Sequence, residues 1–237
     1  MTPDSGHPEQ SGSARGGKKA SAWGLPSPPE KRWQASVATL VAVGFYMTLP
    51  ERLTLGPVWL VPVLELLLIV VLSIAGPKPE GGKDWRRYMA IAIIAILNVA
   101  NLVSLLLLLH DLIHSGTRAT GVVLLTGAIQ IWLTNVIVYA LWYWELDRGG
   151  PGARERRVHP QPDFLFPQMV TPAAAQPSWA PGFVDYLFVA FTNGTAFSPT
   201  DTMPLTPWAK MLMLSQAFVS LITVAVVAAR AVNILGS

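Results

Sequence analysis

The chain has 237 residues, of which 51% are hydrophobic and only 13% are charged. Soluble domains are about one quarter charged, so this composition indicates a membrane protein whose main partner is the lipid bilayer. The chain has no cysteine and a net charge of +3, which excludes disulfides and cysteine-ligated metals, and its basic residues form short clusters between apolar runs instead of the basic face of a nucleic-acid-binding protein.

The first segment, residues 1–32, is rich in Gly, Ser, Pro, Lys and Arg. A segment with so few large apolar groups buries too little surface to offset the entropy of ordering it. We therefore predict a disordered tail. It also lacks the apolar core and cleavage site of a secretory signal.

Four apolar runs then predict a four-helix membrane region over residues 33–146. They cover residues 33–49, 57–74, 88–109 and 121–144. The fourth run ends in Trp142, Tyr143 and Trp144, a cluster that is typical of an aromatic belt at a bilayer surface.

Several polar residues lie inside these runs. An unpaired carboxylate in a membrane is costly, so Glu65 is either a functional carboxyl or a protonated or paired structural one, with Arg230 or an Asn of the third run as a conceivable partner. The other polar residues recur at steps of three or four, which predicts that they face neighbouring helices and serve packing or, alternatively, a permeation path. They are Asn98, Asn101 and Ser104 in the third run, and Thr126, Gln130 and Thr134 in the fourth.

His110, Asp111 and His114 form an H-D-x-x-H pattern at the end of the third run. Two His residues at positions i and i+4 of a helix can share a metal ion. A third or fourth ligand is not evident in the sequence, so an interfacial polar cluster is the preferred interpretation. No cofactor is predicted.

The positive charges indicate the orientation. Alternate loops carry thirteen and two Lys or Arg residues, respectively. The positive-inside rule then places the N-terminus, the 76–87 loop and the 147–160 loop in the cytoplasm of a multi-pass protein of the cell membrane.

The region after the fourth run divides into a Pro/Gly-rich linker at residues 147–182 and a C-terminal unit at residues 183–237. Within the linker, Phe164, Leu165 and Phe166 are expected to lie against the membrane surface. The 183–197 run is short for a membrane span, so it either crosses a thin region of the bilayer or enters and leaves on one side. Crossing is the preferred interpretation, and the fold class is an all-α polytopic membrane bundle with five or six membrane segments.

Between the last two apolar runs lies the sequence AFSPTD, at residues 196–201, followed by Pro204 and Thr206. Residues 186–232 resemble the pore segment of potassium channels, in which an aromatic pore helix, a filter with an acidic residue and a long inner helix follow one another. At the filter position Ser198 and Thr200 stand in place of the family's two glycines and Pro199 in place of its tyrosine. The resemblance implies a pore in which Ser198, Thr200 and Asp201 supply oxygen atoms.

A simpler interpretation of the same turn is that it caps the last helix. Thr200, Asp201, Thr202 or Thr206 could occupy the cap, and Pro204 or Pro207 fits the first turn. The chain as a whole, including WYWELDRGG and DFLFPQM, is also similar to an uncharacterised family of bacterial multi-pass proteins, a resemblance that implies no activity.

No phosphate-binding loop, G-x-S-x-G elbow or H-E-x-x-H pattern occurs, so no enzyme is predicted. The leading hypothesis is an oligomeric ion-channel-like pore with a filter that is not of the potassium type. It is built from several copies of the chain and passes an ion or small solute. The alternatives are a non-conducting membrane scaffold and, third, a small proton-coupled carrier that uses Glu65.

Overall fold

The structure is a computed structural model, and it describes residues 30, 32–54, 56–66, 85–114, 121–156, 161–171, 179–196 and 201–235. The described chain is mostly helical. The helices are α1 (Trp33–Met47), α2 (Trp85–His114), α3 (Gly121–Leu146), α4 (Pro151–Arg156), α5 (Pro167–Val170), α6 (Phe183–Ala196) and α7 (Pro207–Leu235). Residues 60–66 are also helical, and 3-10 turns occur at Glu51–Leu53 and Asp147–Gly149.

Three of the described helices are long and apolar enough to cross a membrane, and they lie in α2, α3 and α7. Helix α1 is apolar but has only 15 residues. The membrane character of the chain is therefore confirmed, whereas the prediction of five or six spans is not. Much of the predicted second span, from residue 67, lies outside the described residues.

The fold includes a pair of strands that the sequence analysis did not anticipate. Two short strands, β1 (Phe164–Leu165) and β2 (Met203–Pro204), pair antiparallel, with Phe164 opposite Pro204 and Leu165 opposite Met203. The amide N–H of Leu205 also donates to the carbonyl oxygen of Asp163 at 2.8 Å. The linker is thereby joined to the segment that precedes α7.

Helix α3 is the central helix, and it packs against α1, α2, α6 and α7. Its C-terminal half contributes Tyr139, Tyr143 and Trp144 to one apolar core, which also includes the start of α6. Its N-terminal half contributes Leu124 and Ile131 to a second core with α2 and α7. We call the end of the bundle where α3 terminates the linker end.

The aromatic residues at this end are buried, contrary to two predictions. Tyr143 and Trp144 lie in the core instead of forming a belt in the lipid. Phe164 and Phe166 pack inward, each with its ring next to that of Tyr186, instead of lying on the membrane surface. Aromatic rings gain more from such edge-to-face contacts in a packed core than from partial exposure.

The predicted disordered tail is too long at its C-terminal end. Residues 1–29 lie outside the described residues, but Glu30 forms an ion pair with Arg154, and α1 starts at Trp33.

Candidate functional site

Helices α6 and α7 both start at the linker end. The ring of Phe183, in the first turn of α6, lies 6.1 Å from that of Trp144 at the end of α3. Further along α6, the ring of Phe191 lies 5.7 Å from that of Trp132, twelve positions earlier in α3. Helix α6 therefore runs antiparallel to α3, away from the linker end.

Helix α7 runs in the same direction as α6. Its preceding strand β2 pairs with β1 at the linker end, and further along α7 the amide of Asn135 donates to the hydroxyl of Ser220 at 3.0 Å. With 14 residues, α6 is about 21 Å long at 1.5 Å per residue, short of a hydrocarbon core of about 30 Å. Since α6 enters from the linker end and α7 starts again there, α6 does not carry the chain across the bundle.

The preferred prediction that residues 183–197 cross the membrane is therefore wrong, and the alternative, a re-entrant helix, agrees with these contacts. We call α6 together with residues 201–206 the re-entrant loop. The length of the 183–197 run alone could not distinguish a crossing helix from a re-entrant one. The strand pairing that decides between them joins residues about 40 positions apart in the chain.

A buried polar network holds α6 between α3 and α7. The side-chain carbonyl of Gln216 accepts from the hydroxyl of Tyr143 at 2.5 Å and from the amide of Asn193 at 2.8 Å. The amide of Gln216 donates to the carbonyl oxygen of Ala190 at 2.7 Å. Asn193 also donates to the carbonyl oxygen of Met213 at 3.0 Å. Tyr143, Asn193 and Gln216 are all buried.

Glycine at position 194 allows the close packing of α6 in this region. A Cβ atom there would lie 3.1 Å from the hydroxyl oxygen of Ser220 and 3.4 Å from a methyl group of Val136. The indole N–H of Trp132 approaches the Gly194 carbonyl oxygen at 3.4 Å. Small residues permit such approaches between membrane helices, which strengthens packing and interhelical hydrogen bonding.

A second polar cluster lies at the linker end, around Asp147. One carboxylate oxygen accepts from the hydroxyl of Tyr186 at 2.5 Å and from Nε of Arg148 at 3.1 Å, and the other accepts from the backbone N–H of Asp163 at 2.8 Å. The backbone N–H of Arg148 in turn donates to the carboxylate of Asp163 at 2.8 Å. Asp147 is fully buried, and these charge-assisted bonds compensate for its desolvation.

Arg154 connects this cluster to the segment before α1. Its Nε and Nη2 donate to the carboxylate of Glu30 at 2.7 and 3.0 Å, and its Nη1 donates to the carbonyl oxygens of Trp144 and Asp147. Its guanidinium group lies 5.5 Å from the ring centre of Tyr186. A planar guanidinium can satisfy all these partners at once, which an ammonium cannot.

The turn before α7 is described only in part. Ser198 and Thr200 lie outside the described residues, whereas Asp201 is exposed in a turn. Pro207 is the first residue of α7, and the hydroxyl oxygen of Thr206 accepts from the N–H of Ala209 at 3.4 Å. Thr206 and Pro207 thus fill the capping roles that the sequence predicted for them.

The predicted intramembrane residues have different environments. Glu65 and Asn101 are buried, as is Thr134, while Asn98 is half-buried. The amide of Gln130 donates to the hydroxyl of Thr48 at 2.9 Å, a contact between α3 and the end of α1. Thr126 is exposed and bonds to the backbone of its own helix. Asn101, Ser104 and Thr134 are thus buried, whereas Thr126 is exposed.

Neither of the conceivable partners of Glu65 is seen to bind it in the described part of the chain. Among the residues that the structure describes, no hydrogen-bond partner reaches either of its carboxylate oxygens, so an Asn of α2 does not pair with it. The side chain of Arg230 is outside the described part of the chain.

The H-D-x-x-H residues are described only in part. Asp111 lies 3.5 Å from Nε of Arg52, His110 is exposed, and the side chain of His114 is not described. Over the described ranges, no group of three potential metal-ligating residues occurs. This arrangement agrees with an interfacial polar cluster.

The residues that dominate both clusters were missed by the sequence analysis. Tyr143 was assigned to a lipid-facing belt, and Asn193 and Gln216 were not assigned to any network. An Asn and a Gln inside apolar helices were a usable signal, because an unpaired amide is costly in a membrane. Their partners could not be deduced from the sequence.

Comparison with family models, with curated proteins and with solved structures gave no match.

Proposed function

We propose that this chain is one subunit of an oligomeric ion-channel-like pore, with the re-entrant loop as its pore element. The observation that carries the proposal is the parallel course of α6 and α7, both starting at the linker end. The pore segments that residues 186–232 resemble have the same order. A short helix enters the membrane, an extended exit follows, and a full-length helix comes last. The cell membrane is the proposed location, with the N-terminus in the cytoplasm.

The direction of α6 favours a cation. The C-terminal end of a helix carries a partial negative charge of about half an elementary charge. In α6 this end lies next to Trp132, well inside the bundle. Asp201, exposed at the exit of the loop, adds a carboxylate on the side from which an ion would enter.

Several copies of the chain are needed in this proposal. The polar side chains that α6 and α7 share point at each other and at α3, so one chain does not surround a polar path within the described residues. The outer face of α7 is instead apolar and exposed, and it is available to lipid or to a second copy. It includes Trp208, Met211, Leu214, Phe218 and Leu221.

The test is ion flux into liposomes that contain the purified protein. We expect cation flux from the unaltered chain and a several-fold reduction in Asp201→Asn, because the variant removes the charge at the mouth. Glu51→Gln is the matched control, since Glu51 is also exposed but lies in the turn after α1. Unchanged flux in Asp201→Asn would show that Asp201 does not lie at the mouth of the pore. The absence of flux from the unaltered chain would overturn the proposal.

A non-conducting scaffold is the alternative that the Gln216 network favours. Every polar group of Gln216 is satisfied inside the chain, which is what a purely structural role requires. This alternative predicts a stable, folded protein with no flux in the same liposomes.

The carrier hypothesis has one specific observation in its favour: Glu65 is buried and has no hydrogen-bond partner among the described residues. A buried carboxyl without a partner is a candidate proton-binding group in a membrane. It predicts that Glu65→Gln abolishes proton-coupled uptake while the protein remains folded. Retention of that uptake in the variant would exclude Glu65 as the coupling group.

A further inference from the structure

Asp147 is linked to both ends of the re-entrant loop, directly to α6 and through Asp163 to the segment before α7. The helix that enters the loop is bound through Tyr186, whose hydroxyl donates to Asp147. The exit is bound through Asp163, whose N–H donates to Asp147 and whose carbonyl oxygen accepts from the N–H of Leu205. One buried carboxylate is therefore a single residue away from both ends of the loop.

Besides the bond between Leu205 and Asp163, the described part of the exit has the pairing of β2 with β1 and the buried side chain of Thr202. Strands β1 and β2 have two residues each, and an isolated two-stranded pairing of this kind is at best marginally stable. Met203 and Leu205 are more than two-fifths exposed, so apolar burial contributes little at these two positions. The position of β2 consequently depends on β1, and β1 follows directly from the Asp163 that Asp147 binds.

We propose that Asp147 is a positioning residue of the re-entrant loop, which holds β1 where β2 can pair with it. This inference rests on the proposed function, because the consequence of correct positioning is conduction. Asp147 does not contact the ion in this mechanism. Its carboxylate fixes Tyr186 and Asp163 relative to each other, and the loop between them is thereby fixed at both ends.

The charge balance of the cluster explains why a carboxylate is needed. The guanidinium groups of Arg148 and Arg154 both donate to Asp147, to its carboxylate and its carbonyl oxygen respectively. The carboxylate of Glu30 accepts from the Arg154 guanidinium, and that of Asp163 accepts from the backbone N–H of Arg148. Asparagine at position 147 would keep the size and one acceptor oxygen. It would place an amide group opposite donors and leave Arg148 without its carboxylate at 3.1 Å.

The chain has no cysteine, which permits a direct test. Leu165→Cys and Met203→Cys form an engineered pair at facing positions, where antiparallel Cα atoms are about 4.5 to 5.5 Å apart, within the range of disulfides. We expect the pair to oxidise about tenfold more slowly in Asp147→Asn than with Asp147 intact, about the ratio that one charge-assisted hydrogen bond can produce. Asp111→Asn, at the other end of the bundle, is the matched control and should not slow the oxidation.

The second readout is flux in liposomes. Asp147→Asn should lose about tenfold in flux, oxidation of the engineered pair should restore it, and a reductant should abolish it again. Restoration by a covalent bond between β1 and β2 is not expected if the substitution merely weakens the fold elsewhere. If Asp147→Asn does not fold, Tyr186→Phe, which removes only the hydroxyl donor, carries the same predictions at smaller magnitude.

Two results would overturn the inference. One is equally fast oxidation with Asp and Asn at position 147. The other is a conducting unaltered chain whose oxidised Asp147→Asn variant stays inactive. If the unaltered chain shows no flux, the pore proposal fails, and the oxidation rates alone decide whether Asp147 positions β1 and β2.

Discussion

Three consecutive residues after α3, Arg148, Gly149 and Gly150, have φ angles of 52°, 82° and 89°. This left-handed stretch turns the chain sharply so that α4 folds back towards Trp144. The glycines tolerate it at no steric cost, whereas Arg148 is strained by roughly 1 kcal/mol or more. Bonds that Arg148 makes to Asp147 and Asp163 contribute to offsetting this strain. The DRGG sequence thus has a conformational reason.

Gly150→Ala should destabilise the protein. The added methyl group would lie 2.8 Å from the carbonyl oxygen of Glu145, and the φ angle is unfavourable for alanine, so we expect a loss of about 1 to 3 kcal/mol. Thermal unfolding in detergent measures it. Gly44→Ala is the control, because that glycine is helical with nothing within 4 Å, and we expect no loss or a small gain. Equal stability of the two variants would contradict this explanation of DRGG.

Gln216 and Asn193 should be energetically coupled. We expect Gln216→Leu to destabilise the chain, because it leaves Tyr143 and Asn193 without their shared acceptor. In a double-mutant cycle with Asn193→Leu, the coupling should be about 0.5 to 1.5 kcal/mol. The cycle of Gln130→Leu with Asn193→Leu is the control and should show none. Additive effects for Gln216 and Asn193 would mean that the hydrogen bond between them contributes little.

At the scale of elements, the re-entrant course of α6 determines which positions are accessible from each side. With the linker end in the cytoplasm, Asp201→Cys should be protected from a membrane-impermeant thiol reagent on intact cells, and Ser237→Cys should be labelled, because α7 runs towards the opposite end. The reverse pattern would place the linker end outside. Labelling of both positions at the same rate in sealed cells is incompatible with α7 crossing the membrane.

The helical elements were predictable because their signal is local. The apolar runs at 33–49 and 121–144 have nearly the same bounds as α1 and α3, since long apolar segments indicate membrane helices directly. The direction of α6 was not predictable in this way. It depends on the pairing of β1, which precedes α6 in the chain, with β2, which follows it. Of the candidate site, the caps Thr206 and Pro207 were identified from their residue types. The Gln216 network and the Asp147 cluster depend on contacts between distant helices, which residue spacing does not reveal.

At the scale of the whole molecule, Arg154 joins the segment before α1, the end of α3, the linker and α6. Its side chain is fully buried, and that of Glu30 nearly so. Removing one partner of a buried ion pair leaves the other charge uncompensated, which is costly, whereas replacing both can be nearly neutral.

Arg154→Met should therefore cost about 3 to 5 kcal/mol in unfolding free energy. Replacing Glu30 by Gln in the same chain should recover part of the loss, because it removes the carboxylate that Arg154→Met leaves uncompensated. Arg52→Met is the matched control. Arg52 is more than one third exposed and lies 3.5 Å from Asp111, so we expect a cost below about 1 kcal/mol. Equal costs for the two Arg variants, measured by chemical denaturation, would contradict the structural role of Arg154.

Glu30 and Arg154 are 124 positions apart, so the ribosome synthesises Arg154 with a delay after Glu30. A ribosome adding 5 to 20 residues per second needs roughly 6 to 25 s to pass from one to the other. During that interval α1, α2 and α3 are inserted, and the carboxylate of Glu30 does not yet have the guanidinium group of Arg154 as its partner. Tyr186 and Leu205 emerge later still, so the linker end is the last part of the protein to mature. A nascent chain arrested before residue 186 should accordingly remain more sensitive to protease at this end than the finished protein.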